Sequence, residues 1–207
     1  MMKENKEKSV EIDSVTLGGI LNLSKNAKGV VIFAHGSGSS RFSPRNNFVA
    51  RVLQKAGLGT LLFDLLTEKE DTVYERRFDI DLLADRLVKA TKWFSKDHKN
   101  FKIGYFGAST GAAAALQAAT EIKVDAIVSR GGRPDLAKNL EKVKAPTLLI
   151  VGGYDDVVIE LNNKAYEKIK VKKKLVIVPK ATHLFEEPGA LEKVADLAKK
   201  WFVKYLS

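Results

Sequence analysis

The chain has 207 residues, 45% hydrophobic and 29% charged, with a formal net charge of +10 and no cysteine. That length provides for one domain with a single core, expected over residues 1–207 with residues 1–9 as a flexible or edge segment. The composition excludes disulfides, cysteine-ligated metals and a cysteine nucleophile. No apolar run has the 18 or so residues of a membrane span, and Met1 to Ser9 lacks the apolar centre of a secretory signal, so a cytoplasmic protein is expected.

In chain order, Val10 to Thr16 alternates apolar and polar, Gly18-Gly19 is a hairpin turn signal, and Ile20 to Leu23 returns. Val30 to Ala34 is a continuous apolar run, the mark of a strand buried on both faces. Asn47 to Ala56 reads as a helix stopped by Gly57, Thr60 to Phe63 as a strand, and Val73 to Phe94 as a long helix. Phe101 to Phe106 is a strand and Gly111 to Thr120 an alanine-rich helix. Strands at Val124 to Val128, Thr147 to Val151 and Leu175 to Val178 alternate with helices at Pro134 to Leu140, Leu161 to Ile169 and Leu191 to Tyr205. Alternation of this kind predicts a three-layer α/β sandwich: a mostly parallel sheet with an antiparallel hairpin at its start. The short connection from Val128 to Thr147 leaves no room for a cap domain. Ligands of such sheets bind at the carboxyl ends of the strands.

Gly107-Ala108-Ser109-Thr110-Gly111 fits Gly-x-Ser-x-Gly between a strand and a helix. This is the setting of a nucleophile elbow: the sharp turn needs tiny neighbours and lifts the serine hydroxyl to a helix N-terminus, where developing negative charge is favoured. The plainer reading of Ser109 is a helix cap. Of the three histidines, His98 precedes a strand and sits at the wrong end of the sheet. His35 follows a strand but opens His35-Gly36-Ser37-Gly38, the place of an oxyanion loop. His183 follows the last strand and is the one histidine after Ser109, as the order serine, acid, histidine of the α/β-hydrolases requires. The acid belongs after Thr147 to Val151, where Asp155 and Asp156 are adjacent; only one of two neighbours on a turn can face the imidazole.

The backbone N–H groups of Thr110 and Ser37 are the expected oxyanion donors. A phosphate cradle is the alternative use of the glycine-rich loop, but the Gly-Lys-Ser/Thr ending is missing. His35, Arg41, Arg130 and Arg133 are candidate substrate-binding residues, since all lie after strands at the site edge. The three arginines and Arg45 can bind a carboxylate or phosphate, or pair internally with Asp64, Glu68 or Asp135.

From about Val10 onward the chain resembles the dienelactone-hydrolase-like branch of the α/β-hydrolases. The resemblance rests on His35-Gly36-Ser37-Gly38-Ser39-Ser40, Gly107-Ala108-Ser109-Thr110-Gly111, Ser129-Arg130-Gly131-Gly132-Arg133-Pro134-Asp135, Gly152-Gly153-Tyr154-Asp155 and Ala181-Thr182-His183-Leu184-Phe185. It is most similar to small hydrolase domains that also occur fused to phosphoribosyltransferase domains. The resemblance implies ester or lactone hydrolysis without metal or organic cofactor. It gives the nucleophile to Ser109, the base to His183 and, between the two carboxylates, the acid to Asp155. Dienelactone hydrolase proper uses a cysteine, so a general carboxylesterase is the expectation here. The same residues could serve a thioesterase, a perhydrolase or a non-catalytic ligand binder. The expected partner is a small ester, with room for an anionic one, acted on by a monomer or homodimer. Neither nucleic acid nor membrane is expected, because the lysines are dispersed and no nucleic-acid-binding signature accompanies them.

Overall fold

The computed structural model describes residues 6–27 and 29–207. Eight strands form one sheet: β1 (Lys6–Ile12), β2 (Val15–Asn22), β3 (Gly29–Ala34), β4 (Gly59–Phe63), β5 (Lys102–Ala108), β6 (Ala126–Arg130), β7 (Thr147–Gly152) and β8 (Lys173–Val178). Their spatial order is β1-β2-β4-β3-β5-β6-β7-β8. The pairings of β1 with β2 and β2 with β4 are antiparallel; those from β4 through β8 are parallel.

Helices α1 (Pro44–Lys55) and α6 (Ala190–Leu206) cover one face. On the other lie α3 (Ile80–Asp97), α4 (Thr110–Glu121) and α5 (Asp156–Lys168). Two faces covered means two faces apolar, which is why β3, β4, β6 and β7 are buried along their whole length. The core on the first face joins Phe33, Phe106 and Val128 to Val49, Leu53 and Phe202; that on the second joins Ile32 and Tyr105 to Leu87, Phe94 and the alanines of α4. Ala112 to Ala115 are fully buried between sheet and α3, and such small side chains let α4 start close above β5.

Three expectations need correction. The hairpin turns at Asp13-Ser14, with Asp13 at φ 48, a conformation aspartate tolerates. Gly18 and Gly19 lie inside β2, where a Cβ would strike the Arg41 guanidinium (2.5 Å from Nη1) or Val10 Cγ2 (2.9 Å). Those glycines therefore serve close approach and not a turn. Of residues 1–9, expected to be a flexible or edge segment, 6–9 form part of edge strand β1 and so need no correction, while 1–5 lie outside the described residues. The expected helix from Val73 is broken into α2 (Glu68–Asp71), a 3-10 turn (Tyr74–Phe78) and α3. Asp79 starts α3 afresh by accepting the Leu82 N–H at 3.1 Å. Between β6 and β7 the expected helix is two 3-10 turns, Pro134–Leu136 and Leu140–Lys142. The chain thus returns by a short path, and no lid among the described residues covers the carboxyl ends of the strands. No helix among the described residues is long and apolar enough to cross a membrane.

Candidate active site

Ser109 stands between β5 and α4 at φ 51, ψ −121, a strained conformation for a residue with a side chain. Three backbone bonds hold it there: its N–H donates to Arg130 O (3.2 Å), and its carbonyl accepts from Ala112 (3.0 Å) and Arg133 (3.1 Å). The flanking glycines are steric necessities. A Cβ on Gly107 would collide with the Ala112 backbone, and one on Gly111 with the carbonyl oxygens of Ala34 and His35. The Ser109 side chain makes no capping bond to α4, which removes the plain-cap reading and leaves a half-buried hydroxyl at a helix N-terminus.

His183 Nδ1 and Asp155 Oδ2 are 2.6 Å apart, with the carboxylate the more buried partner. Asp155 immediately precedes α5, while Asp156 is exposed in its first turn, so the geometry separates the two candidates. A carboxylate on Nδ1 fixes the proton there and leaves Nε2 as the basic nitrogen. Nε2 makes no hydrogen bond to the described residues, and none joins it to Ser109 Oγ. The segment 130–133 touches both residues: Arg130 and Arg133 bond the Ser109 backbone, and a Cβ on Gly131 (φ +51) would lie 3.4 Å from His183 Cε1. Lys180 and Phe185, on either side of His183, both have positive φ.

The loop after β3, expected to supply an oxyanion donor, brings correction as well as agreement. Thr110 and Ser37 do meet, but the Ser37 N–H donates to Thr110 Oγ1 at 2.9 Å. As the structure stands that amide is occupied, and the threonine hydroxyl must turn away to release it. The Thr110 N–H, first in α4, has no acceptor within its own helix. His35, expected to bind substrate, is buried and both its ring nitrogens are engaged: Nδ1 with Gly36 O (2.9 Å), Nε2 accepting from Leu65 N–H (3.0 Å). Burial pushes its pKa down, which fits a neutral ring tying this loop to the end of β4.

The arginines divide. The Arg41 guanidinium pairs with Asp64 Oδ2 and the Arg41 backbone N–H donates to Asp64 Oδ1; Arg133 grips Asp135 through two bonds of 2.9 and 2.7 Å. For both, the internal pairing that was the alternative to substrate binding is present. Arg130 forms no ion pair with the described residues. Beside the loop after β3 a cleft of about 750 Å³ runs toward β2 and β4, lined by His35, Ser40, Arg41, Phe42, Asp64 and Leu66 among others. Phe42, Tyr154 and Leu184 expose apolar surface on the loops that follow β3, β7 and β8.

One supporting residue escaped sequence reasoning. Asn162 is fully buried on α5 and donates to Gly132 O at 2.9 Å, holding the segment that links Ser109 to His183. Its signal is a polar residue in the buried stripe Val158, Asn162, Ala165 of an otherwise amphipathic helix.

Comparison with known proteins agrees with this architecture. A dienelactone hydrolase from Anabaena variabilis is 56% identical, with a TM-score of 0.96 and all of both chains covered. A serine hydrolase without lid from Xanthomonas campestris shares the fold at 18% identity and a TM-score of 0.80, covering 100% of this chain and 97% of that one. Two proteins of Mycobacterium tuberculosis, provisionally named phosphoribosyl transferases, are 54% identical over 98% of this chain; it spans about half of their length, 47%. The dienelactone hydrolase family matches residues 17–206. With the fold, the serine elbow and this match in agreement, the chain belongs to the dienelactone hydrolase family of α/β-hydrolases.

Proposed function

We propose that the protein is a serine hydrolase that cleaves small carboxylic esters or lactones by a two-step acyl transfer. The observation that carries this reading is the 2.6 Å contact of Asp155 with His183, on a loop packed against the segment that holds Ser109. His183 Nε2 takes the proton of Ser109 Oγ as the oxygen attacks the carbonyl carbon, and Asp155 stabilises the imidazolium that results. The oxyanion so formed is met by the Thr110 N–H at the positive end of α4, and by the Ser37 N–H once the Thr110 hydroxyl releases it. His183 then gives its proton to the leaving alkoxide. A water molecule, deprotonated by His183, attacks the acyl-serine; the acid departs and Ser109 recovers its proton. In this reading the Ser109 Oγ–His183 Nε2 hydrogen bond forms in the substrate complex, where catalytic hydrogen bonds tighten.

With no cysteine in the chain, serine is the only residue the elbow offers as nucleophile. The open strand ends favour small, soluble esters over substrates that need a lid. A protein of the cytoplasm, acting alone or as a homodimer, is the setting we propose for this activity.

The test is hydrolysis of p-nitrophenyl acetate and butyrate by wild type and Ser109→Ala side by side. The expected loss in kcat is about 10⁴-fold or more, down to the residue left by binding and oxyanion contacts. A fluorophosphonate should label wild type and not the variant. Undiminished turnover or labelling in Ser109→Ala would refute the assignment.

A further inference from the structure

The lysines that are dispersed along the chain are gathered in space. Their two densest runs are residues 168–174, with five lysines and no acid, and residues 199–204, with three lysines and no acid. The first run enters β8, an edge strand of the sheet, and the second lies in the last half of α6, which packs beside it. Between them is a groove of about 390 Å³, with Lys172, Lys173 and Lys174 on one side and Lys200 and Lys204 on the other. Leu197 and Trp201 give it an apolar floor. The Trp201 Nε1–H donates to Pro146 O at 3.3 Å, which fixes the indole beside the start of β7.

Few of these cations are answered. Asp196 takes Lys199 at 3.0 Å and Lys200 at 2.7 Å, and Lys173 reaches back to the carbonyls of Tyr166 and Ile169. Lys172, Lys174 and Lys204 pair with no carboxylate among the described residues. Lysines on an edge strand ordinarily guard against self-pairing. A guard needs charge alone, whereas here the charge rims an apolar groove. The outer backbone edge of β8 has no strand partner among the described residues. Side chains alternate along a strand, so Lys174 and Val176 share the α6 face while Lys173 turns to α5. A strand added at this edge would lay its own alternate side chains along the groove, between the two sets of lysines.

We propose that this groove and the edge of β8 bind an extended acidic segment of a partner protein, with apolar residues against Trp201 and carboxylates on Lys172, Lys174 and Lys204. Charge chooses this occupant. A second copy brings the same cations to the groove and is repelled. A phosphate backbone would use the lysines and leave the apolar floor uncovered, and a bilayer offers a flat surface to a concave groove. The surface lies at the amino ends of β7 and β8, while Ser109 follows the carboxyl end of β5 in the same parallel set. It is therefore at the opposite end of the sheet and does not rest on the hydrolase reading.

The probe is a peptide of alternating glutamate and valine, long enough to run along β8, labelled with fluorescein and followed by fluorescence anisotropy. Wild type should bind it, and the double variant Lys174→Glu, Lys204→Glu should bind it at least about tenfold more weakly. Both lysines are exposed, so the variant keeps the fold. Binding should weaken as salt rises from about 50 to 500 mM. The unlabelled peptide should shift the tryptophan emission of wild type to the blue; Trp201→Phe, which keeps Trp93, should show no shift. Hydrolysis of p-nitrophenyl butyrate should be the same in wild type and the double variant, which sets a failure of this surface apart from a failure of the active-site reading. No binding to wild type, or equal affinity for wild type and the double variant, would overturn the proposal. Oligoglutamate of the same length binding as tightly would also overturn it, because the groove would add nothing to charge. So would equal binding of the peptide with its backbone N-methylated, because the edge of β8 would then take no part. Tighter binding of oligo(dT) or of phosphatidylglycerol vesicles, lost in the double variant, would give the surface to nucleic acid or membrane instead.

Discussion

The loops that follow β3 and β8 each place a histidine just past the carboxyl end of a parallel strand, and the two rings are held in opposite ways. His35 is buried, with one nitrogen on Gly36 O and the other accepting from Leu65 N–H. His183 is half exposed, with Asp155 on Nδ1 and nothing of the described chain on Nε2. A ring whose two nitrogens are both used is a fastener; a ring with one nitrogen fixed and the other open can serve as the base of the proposed mechanism. Position on the sheet brings a histidine to the site, and hydrogen-bond saturation decides what it does there. The same rule separates the arginines: Arg41 and Arg133 have their carboxylates, and Arg130 has none among the described residues.

The sharpest way to break this comparison is to remove each ring. His183→Ala should cost about 10⁴- to 10⁶-fold in kcat on p-nitrophenyl esters, with the fold intact by circular dichroism. Turnover within tenfold of wild type would end the distinction between the two rings. Next in size is the acid. Asp155→Asn keeps the shape but presents an amide to Nδ1, which favours the wrong tautomer, and a fall of about 10⁴-fold is expected. Asp156→Asn changes an exposed group at the start of α5 and should stay within about twofold of wild type, the scale of ordinary surface substitutions. If Asp156→Asn were the damaging change, the 2.6 Å contact of Asp155 would not be the catalytic one.

Much of this was legible before any coordinates. Continuous apolar runs such as Val30 to Ala34 announce strands covered on both faces, and Gly107 to Gly111 between a strand and an alanine-rich helix announces the elbow. What failed has one physical cause: the need was tertiary. Gly18-Gly19 carries a stronger local turn signal than Asp13-Ser14, yet those glycines make room for Arg41 and Val10, which sequence proximity does not reveal. Periodicity carried the reading across Asp79, because a helix cap interrupts backbone geometry without interrupting the apolar pattern. His35 looked available because the Leu65 N–H that saturates it lies 30 residues away. Likewise, which arginine is left without a carboxylate depends on where Asp64, Asp135 and Glu186 arrive in space. Between Asp155 and Asp156 the residues themselves were silent, and the family resemblance decided.

The smallest effect, and the finest test of the saturated ring, is in the pH dependence of stability. Burial lowers the His35 pKa from its ordinary 6.5, so the native ring stays neutral where an unfolded one would take up a proton. Below 6.5 the unfolded chain binds more protons at this site than the native chain, and linkage then makes stability fall as pH falls. The slope from this one group is at most about 1.4 kcal/mol per pH unit, running from 6.5 down to the depressed native pKa. His35→Gln should be less stable at neutral pH by about 1–3 kcal/mol, because the buried Leu65 N–H and Gly36 carbonyl lose well-placed partners. The same variant should lose less on acidification, since its side chain has nothing to titrate. Urea unfolding of both proteins at a series of pH values between about 7.5 and 5 reads the difference. Two curves that converge toward low pH fit a neutral fastener; parallel curves would mean that His35 takes up its proton as readily folded as unfolded, and that its nitrogens are not held as described.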